Sequence, residues 1–195
     1  ETDIQLLDAP FVEGGVLSAN KQRYKPRVKP AAEQVKKAVK LMKKAKRPII
    51  YGGGGLINSG PEASEKLREL VVQTGWPSTL TLMGLGVLSA EDPHFLGMLG
   101  MHGTYEANMA MHQCDFMLNI GARFDDRVTG RLNAFSPSSV KVHADIDPSS
   151  IGKVVQVDVG IIGDAGAVLD ALLAELKKER FCLLYTSPSP RDSSQ

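Results

Sequence analysis

Four groups of residues in this chain have types and spacings that can do chemistry. The first is Gly52-Gly53-Gly54-Gly55, directly after the apolar run Pro48-Ile49-Ile50-Tyr51. Glycine carries no Cβ, so a loop built from it lets backbone N–H groups come close to a pyrophosphate. The fit to the dinucleotide spacing GxGxxG is partial, since Asn58 stands where the third glycine belongs, and a plain tight turn reads the same way. The second group is a pair of acids, Asp145 and Asp164, at the ends of apolar runs. A carboxylate there can accept hydrogen bonds from ribose hydroxyls. Asp164 before Ala165, and Asp147 before Pro148, equally suit helix N-caps. Two acids beside glycine loops favour a nucleotide over capping alone. The third group is 121-GARFDDRVTGR, which gathers Arg123, Asp125, Asp126, Arg127 and Arg131 around Phe124. Guanidinium offers paired donors to a phosphate or a carboxylate. Internal ion pairs are the structural alternative, and the two are compatible, because an Arg steadied by an Asp is better placed for a ligand. The neighbouring guanidiniums keep both carboxylates ionised, which excludes a catalytic acid–base pair. The fourth group is Met101 and His102, between Gly100 and Gly103, which reads as the lining of a site. No Ser-His-Asp, Cys-His or HExxH arrangement and no evident nucleophile accompany them. Together they describe a dinucleotide-binding domain without a catalytic set of its own.

These residues need a scaffold that brings strand ends together. The periodicity predicts strands at 48–51, 78–82, 95–99, 116–120, 140–144 and 157–162, most of them running into Gly or Asp. Helical patterns cover 31–46, 61–74, 104–113 and 165–179; Val35, Ala38, Val39 and Met42 form one stripe of the first, and Pro61 suits the first turn of the second. Short apolar strands alternating with helices specify an α/β fold: a doubly wound, mainly parallel, Rossmann-like sheet of six strands. Such sheets bind ligands at the carboxyl ends of their strands, where the glycines, acids and arginines lie.

The chain has 195 residues, 43% hydrophobic and 23% charged, with a formal net charge of +1. That suits one domain with flanking pieces. No apolar run reaches the ~18–20 residues of a membrane helix, and no secretory pattern opens the chain, so neither a membrane nor export is expected. The sequence starts Glu1-Thr2-Asp3 without Met, as a mature chain or a piece of a longer one would. Residues 21–47 hold 12 of the 23 Lys and Arg against one acid, Glu33. A basic block can serve nucleic acid. Here the lysines fall opposite the apolar stripe with no aromatic between them to stack bases, so a linker and a solvated helix face are expected and nucleic-acid binding is not. Cys114 and Cys182 have no CxxC or metal-like spacing, which fits a reduced, intracellular setting with Cys114 as a packed core thiol. Residues 1–30, with Pro10, Pro26 and Pro30, read as a connector, residues 31–181 as the domain, and 182–195 as something foreign. Cys182–Asp192 resembles a translated transposon-end adapter of DNA sequencing libraries and is set aside from the fold.

The strings TLMGLG (81–86), GMLGMHGTYEANMAMHQCD (97–115), NIGARFDDRVTGR (119–131), HADIDPSSIGK (143–153) and GD (163–164) resemble, in order, the acetolactate synthase (acetohydroxyacid synthase) large subunits of the thiamine-diphosphate family. The resemblance implies the central one of three α/β domains, with 1–30 closing the pyrimidine-binding domain and leading into it. The family's activating Glu and its metal- and diphosphate-holding segment belong to the outer domains, so thiamine diphosphate and Mg2+ are implied only for a longer enzyme, and this chain alone is expected to be inactive. The central domain is implied to bind FAD in a structural role. Gly53, Gly54, Gly55, Thr81, Leu82, Met83, His102, Gly103, Gly121, Ala122, Arg123, Asp125 and Val128 would lie along it, Asp145 and Ile146 would meet the adenosine part, and Asp164 and Ala165 would close round it. Arg127 would receive a 2-oxo acid carboxylate, with Asp126 holding the guanidinium and Met101 lining the same channel. The implied reaction joins two pyruvates, or pyruvate and 2-oxobutyrate, with loss of carbon dioxide, towards the branched-chain amino acids. The implied assembly is a homodimer or tetramer with a regulatory small subunit in a bacterial-like cytoplasm. A stand-alone NAD- or FAD-binding module is the alternative.

Overall fold

A computed structural model describes residues 26–178. The expectations for the first 25 residues and for the adapter-like tail with Cys182 lie outside that range. The elements run α1 (Ala32–Met42), β1 (Pro48–Gly52), α2 (Gly54–Asn58), α3 (Pro61–Thr74), β2 (Ser78–Leu80), β3 (Phe95–Met98), α4 (Tyr105–Gln113), β4 (Phe116–Ile120), α5 (Asp126–Thr129), β5 (Val140–Asp145), β6 (Val159–Ile162) and α6 (Ala165–Lys178). Short 3-10 turns at Leu82–Gly84, Leu132–Ala134 and Pro148–Ser150 complete the set.

The six strands form one parallel sheet in the order β3-β2-β1-β4-β5-β6. The chain winds outwards from β1 in one direction, then returns to start again at β4 on its other side. The carboxyl ends of β1 and β4 therefore diverge into loops on opposite sides, and this reversal of strand order is where open α/β sheets leave a crevice.

Both faces of the sheet are covered, which is why β1 and β4 are buried at every position rather than at alternate ones. On one face Ile50, Leu80, Leu118, Val142 and Ile161 meet the stripes of α1, α3 and α6 in a single core with Leu67, Leu70, Leu169 and Leu172. On the other, Ile49, Tyr51 and Met117 pack with Met111 of α4 and with Phe124 from the loop after β4. Cys114 is buried in this second core, where its thiol contacts the Ser136 hydroxyl and burial raises its pKa. The doubly wound arrangement expected from the sequence is present.

Where boundaries differ from the periodicity, backbone hydrogen bonding explains it. α1 stops at Met42 rather than 46 because the Lys46 and Arg47 N–H groups donate to the Asp115 carboxylate at 2.9 and 2.8 Å, drawing the chain towards the start of β4. β2 ends at Leu80, not 82, because Thr81 N–H turns to the Gly52 carbonyl and the chain enters a 3-10 turn. β6 starts at Val159, after a clasp in which Asp158 both donates to the Lys141 carbonyl and accepts from the Lys141 N–H.

Leu118 sits fully buried at the middle of β4. Leu118→Ala is expected to destabilise the chain by about 2–5 kcal/mol. Val72→Ala, on the exposed side of α3, should stay within about 0.5 kcal/mol. Urea unfolding midpoints compare the two.

Candidate functional site

A cavity of about 590 Å³ opens at the strand-order reversal between β1 and β4. Its floor is made where two loops cross. After β1, Gly53 N–H donates to the Ile120 carbonyl at 3.0 Å and Gly55 N–H to the Gly121 carbonyl at 2.9 Å. The backbones touch so closely that a Cβ on Gly55 would fall 2.6 Å from Gly121 Cα, and one on Gly53 would run into the Gly121 carbonyl. Gly121 itself has φ +62, a conformation that glycine adopts without strain. The glycines expected to admit a ligand thus first admit each other, and Gly54 and Gly55 start the short helix α2 where a plain turn was an open reading.

Beneath this crossing lies Asn119, fully buried on β4. Its side-chain amide donates to the Ala122 carbonyl at 2.7 Å and its side-chain oxygen accepts the Ala122 N–H at 3.2 Å. One side chain therefore fixes the turn that forms the floor. Nothing in the sequence marked it, since an Asn in an apolar strand has no spacing signature; its polarity within a buried run was the available signal.

The rim is divided by charge. On one side the loop after β4 presents Arg123, Asp125, Arg127 and Val128. Arg123 Nη2 lies 3.6 Å from Asp125, and Arg127 Nε lies 3.9 Å from Asp126, so the pairings expected within the Arg-Asp cluster exist but are loose and exposed. Such pairs contribute little stability and leave the guanidiniums available. Asp125 also caps α5 by accepting the Asp126 N–H. On the other side Asp145, Ile146, Asp147 and Ser150 line the wall after β5. Asp147 caps the following 3-10 turn, accepting from Ser149 N–H at 2.9 Å and Ser149 Oγ at 2.8 Å; these bonds, side chain foremost, hold its carboxyl below the ordinary carboxylate value. Thr81, Leu82 and Met83 form the third wall, apolar and largely exposed except for the Thr81 hydroxyl, which is buried with no hydrogen-bond partner.

The structure thus brings Gly54, Gly55, Thr81, Leu82, Met83, Gly121, Ala122, Arg123, Asp125, Arg127, Val128, Asp145 and Ile146 round one cavity. Asp164 and Ala165 line a smaller adjoining hollow of about 120 Å³ that shares Gly55, Gly121, Asp145 and Ile146 with it. Asp164 is also the N-cap of α6: Oδ1 accepts from Gly166 N–H at 3.0 Å and from Ser59 Oγ at 2.6 Å, so the capping reading holds for it. Gly53 backs the floor through its contact with Gly121 and Ala122. Met101, His102 and Gly103 lie outside the lining; the loop is tied beside it by Met101 N–H donating to the Arg127 carbonyl at 2.9 Å, while the Met101 and His102 side chains are exposed. Asp126 is exposed outside the lining too, its Oδ1 accepting the Arg127 N–H. Asn58, at the third-glycine position, and Asp147, read as a cap, also line the cavity, as do Ile57 and Ser150, which the motifs did not single out.

A cleft with arginines on one side, acids on the other and an apolar third wall suits a ligand built of phosphates joined to sugar and ring. The described residues hold no cluster of His, Cys, Asp and Glu that could bind a metal ion. None of their helices is long and apolar enough to cross a membrane.

Residues 35–172 match the family described as thiamine pyrophosphate enzyme, central domain. The chain belongs to this family. It is 48% identical over 157 residues to the acetolactate synthase large subunit of Buchnera aphidicola subsp. Schizaphis graminum, covering 80% of this chain and 27% of that protein. It is 43% identical over 162 residues to the acetolactate synthase isozyme 3 large subunit of Escherichia coli K12, covering 83% and 28%. Against an acetolactate synthase of Mycobacterium bovis the figures are 47% over 154 residues, 79% and 25%. The chain spans about a quarter of the length of these curated relatives, and it resembles their thiamine enzyme central domain.

In a thiamine enzyme central domain built this way, the loop crossing sets the site. Gly55→Ala is expected to destabilise by about 2–4 kcal/mol through collision with the Gly121 backbone. Gly54→Ala, whose Cβ meets only the Met83 side chain and its carbonyl, at 3.0 Å and beyond, should change stability by less than about 1 kcal/mol. Thermal melts of the two variants read the contrast.

Proposed function

We propose that this chain is the FAD-binding part of an acetolactate synthase large subunit, in which the cleft between β1 and β4 holds the dinucleotide. The observation that carries the reading is the charge-divided cavity at the reversal of strand order, its floor made of Gly55, Gly121 and Ala122. Arg123 and its loop face the diphosphate, Asp145 and Ile146 the adenosine, and Leu82 and Met83 the flat ring system. Asp164 and Ala165, in the adjoining hollow, close round the adenosine end. The buried Thr81 hydroxyl, without a protein partner, supports a polar ligand group at that wall. His102 and Gly103 border the site from their loop.

In the longer protein, thiamine diphosphate and Mg2+ are held by parts outside this chain, where decarboxylation of pyruvate and addition to a second 2-oxo acid take place. Two pyruvate anions and a proton yield acetolactate and carbon dioxide with no net change of oxidation state. FAD therefore supplies shape and not electrons to that reaction. Arg127, exposed at the mouth of the cleft with Asp126 beside it, receives the carboxylate of a 2-oxo acid as a planar paired donor, with Met101 along the same approach. The assembly proposed is a homodimer or tetramer with a regulatory small subunit, in a bacterial-like cytoplasm. The products feed branched-chain amino acid synthesis, and this chain alone is inactive.

Fluorescence titration of the chain with FAD and with NAD tests the reading. Saturable binding of FAD, at least tenfold tighter than NAD, is expected, with Asp145→Ala weakening it by about tenfold or more through loss of charge-assisted hydrogen bonds. Preferential binding of NAD would overturn it in favour of a separate nucleotide-binding module. In the uninterrupted protein, Arg127→Ala should raise the KM for the 2-oxo acid while leaving FAD content unchanged.

A further inference from the structure

A buried polar row runs across the sheet beneath the cleft. Tyr51 on β1, Asn119 on β4 and His143 on β5 are in register and all fully buried. Asn119 has its partners in the floor turn. The Tyr51 hydroxyl and both ring nitrogens of His143 have none, which is exceptional for buried polar atoms. For Tyr51, burial and then the Asp125 carboxylate push the phenol above its ordinary pKa, so it stays neutral. His143 has a more specific neighbour. Residues two apart on a strand share a face, and His143 Nε2 points to Asp145 Oδ2 at 3.7 Å, just beyond a hydrogen bond. The other Asp145 oxygen is already taken, accepting the Asp147 N–H at 2.9 Å.

The geometry points to His143 as a positioning residue: its Nε2–H orients the free Asp145 oxygen towards the ribose of an adenine dinucleotide. This rests on the FAD reading of the cleft and goes beyond it, since His143 touches neither cavity.

Three observations support the assignment. Asp145 Oδ1 is fixed by the main chain, so whatever faces Oδ2 sets the remaining orientation of the carboxylate. Phe124 packs against the imidazole in an edge-to-face contact, with ring centroids 5.2 Å apart and planes at 75°, and so restrains the ring beside Asp145. The neighbouring carboxylate favours one tautomer. A proton on Nε2 faces the carboxylate and leaves Nδ1 as a bare acceptor, whereas the reverse would bury an orphan N–H and set a lone pair against a negative oxygen. A buried polar ring whose Nε2 aims at the Asp145 carboxylate is explained by orientation and not by packing.

The test compares FAD with FMN, which lacks the adenosine half, on the 195-residue chain and its His143 variants. His143→Leu is expected to weaken FAD by about tenfold and leave FMN unchanged. His143→Gln, which can present an amide N–H near the Nε2 position, should bind FAD within about twofold of the parent. His143→Asn, whose amide falls short of it, should behave like Leu. In an Asp145→Asn background, His143→Leu should weaken FAD no further, since positioning acts only through that carboxylate. Ligand-free melting should not fall for the Leu variant, because the imidazole nitrogens it removes have no partner. Equal losses of FAD and FMN, a lower ligand-free melting temperature with no selective loss, or unchanged FAD binding in both the Leu and Asn variants would overturn the role of His143. Failure of the unmutated chain to bind FAD would overturn the FAD reading itself, and the inference with it.

Discussion

Everything at this site depends on one backbone-to-backbone contact. The segment leaving β1 and the segment leaving β4 pass within van der Waals distance, with Gly53 and Gly55 against Gly121 and Ala122, and the Gly53 and Gly55 amides donate to the Ile120 and Gly121 carbonyls. Parallel neighbours at the centre of a doubly wound sheet must send their chains apart, one to each face. Only side-chain-free backbone lets them stay joined for two residues more before they part. The crevice opens above that join, and the loops that bear the arginines and the apolar wall spring from its edges.

The layer beneath the join is polar where the rest of the interior is apolar. Asn119 binds both the N–H and the carbonyl of Ala122, and Phe124, three residues after Gly121, packs against Tyr51 on one side and His143 on the other. The loop carrying Arg123, Asp125 and Arg127 is thus hooked to the sheet by an aromatic residue between two charged ones. This lets exposed guanidiniums sit at a fixed place without strong ion pairs. Rigidity comes from packing below, and charge is left free above. Asp145 is treated alike, with one oxygen held by its own turn and the other lying 3.7 Å from the buried His143 Nε2.

Strand type and order of elements were legible because fully buried parallel strands are short continuous apolar runs ended by Gly or Asp, a pattern that β1 and β4 follow closely. The ends of elements were less so. The stop of α1 depends on Asp115, some seventy residues away, and the end of β2 on the Gly52 carbonyl. Long-range bonds of this kind leave no local mark. The glycine run showed where the cleft lies but not that its first use is to meet Gly121, since a pyrophosphate and another backbone place the same demand on a Cβ. The Arg-Asp cluster displayed its ion pairs through simple adjacency. Asn119 and His143 stayed hidden because their roles come from register across strands, and a single sequence does not display register. Met101, His102 and Gly103, expected at the site from their glycine-rich strand end and from the resemblance, lie beside the residues that line the cavity.

The central claim is that a dinucleotide rests on the β1–β4 crossing, and amide NMR of the 195-residue chain titrated with FAD tests it most directly. Shifts concentrated at Gly54, Gly55, Gly121, Ala122, Asp145 and Ile146, with those of α4 and the Leu132–Ala134 turn unmoved, are the expected result. Saturable shifts centred on the separate hollow near Asn108, His112 and Arg131, with the glycine crossing silent, would contradict it.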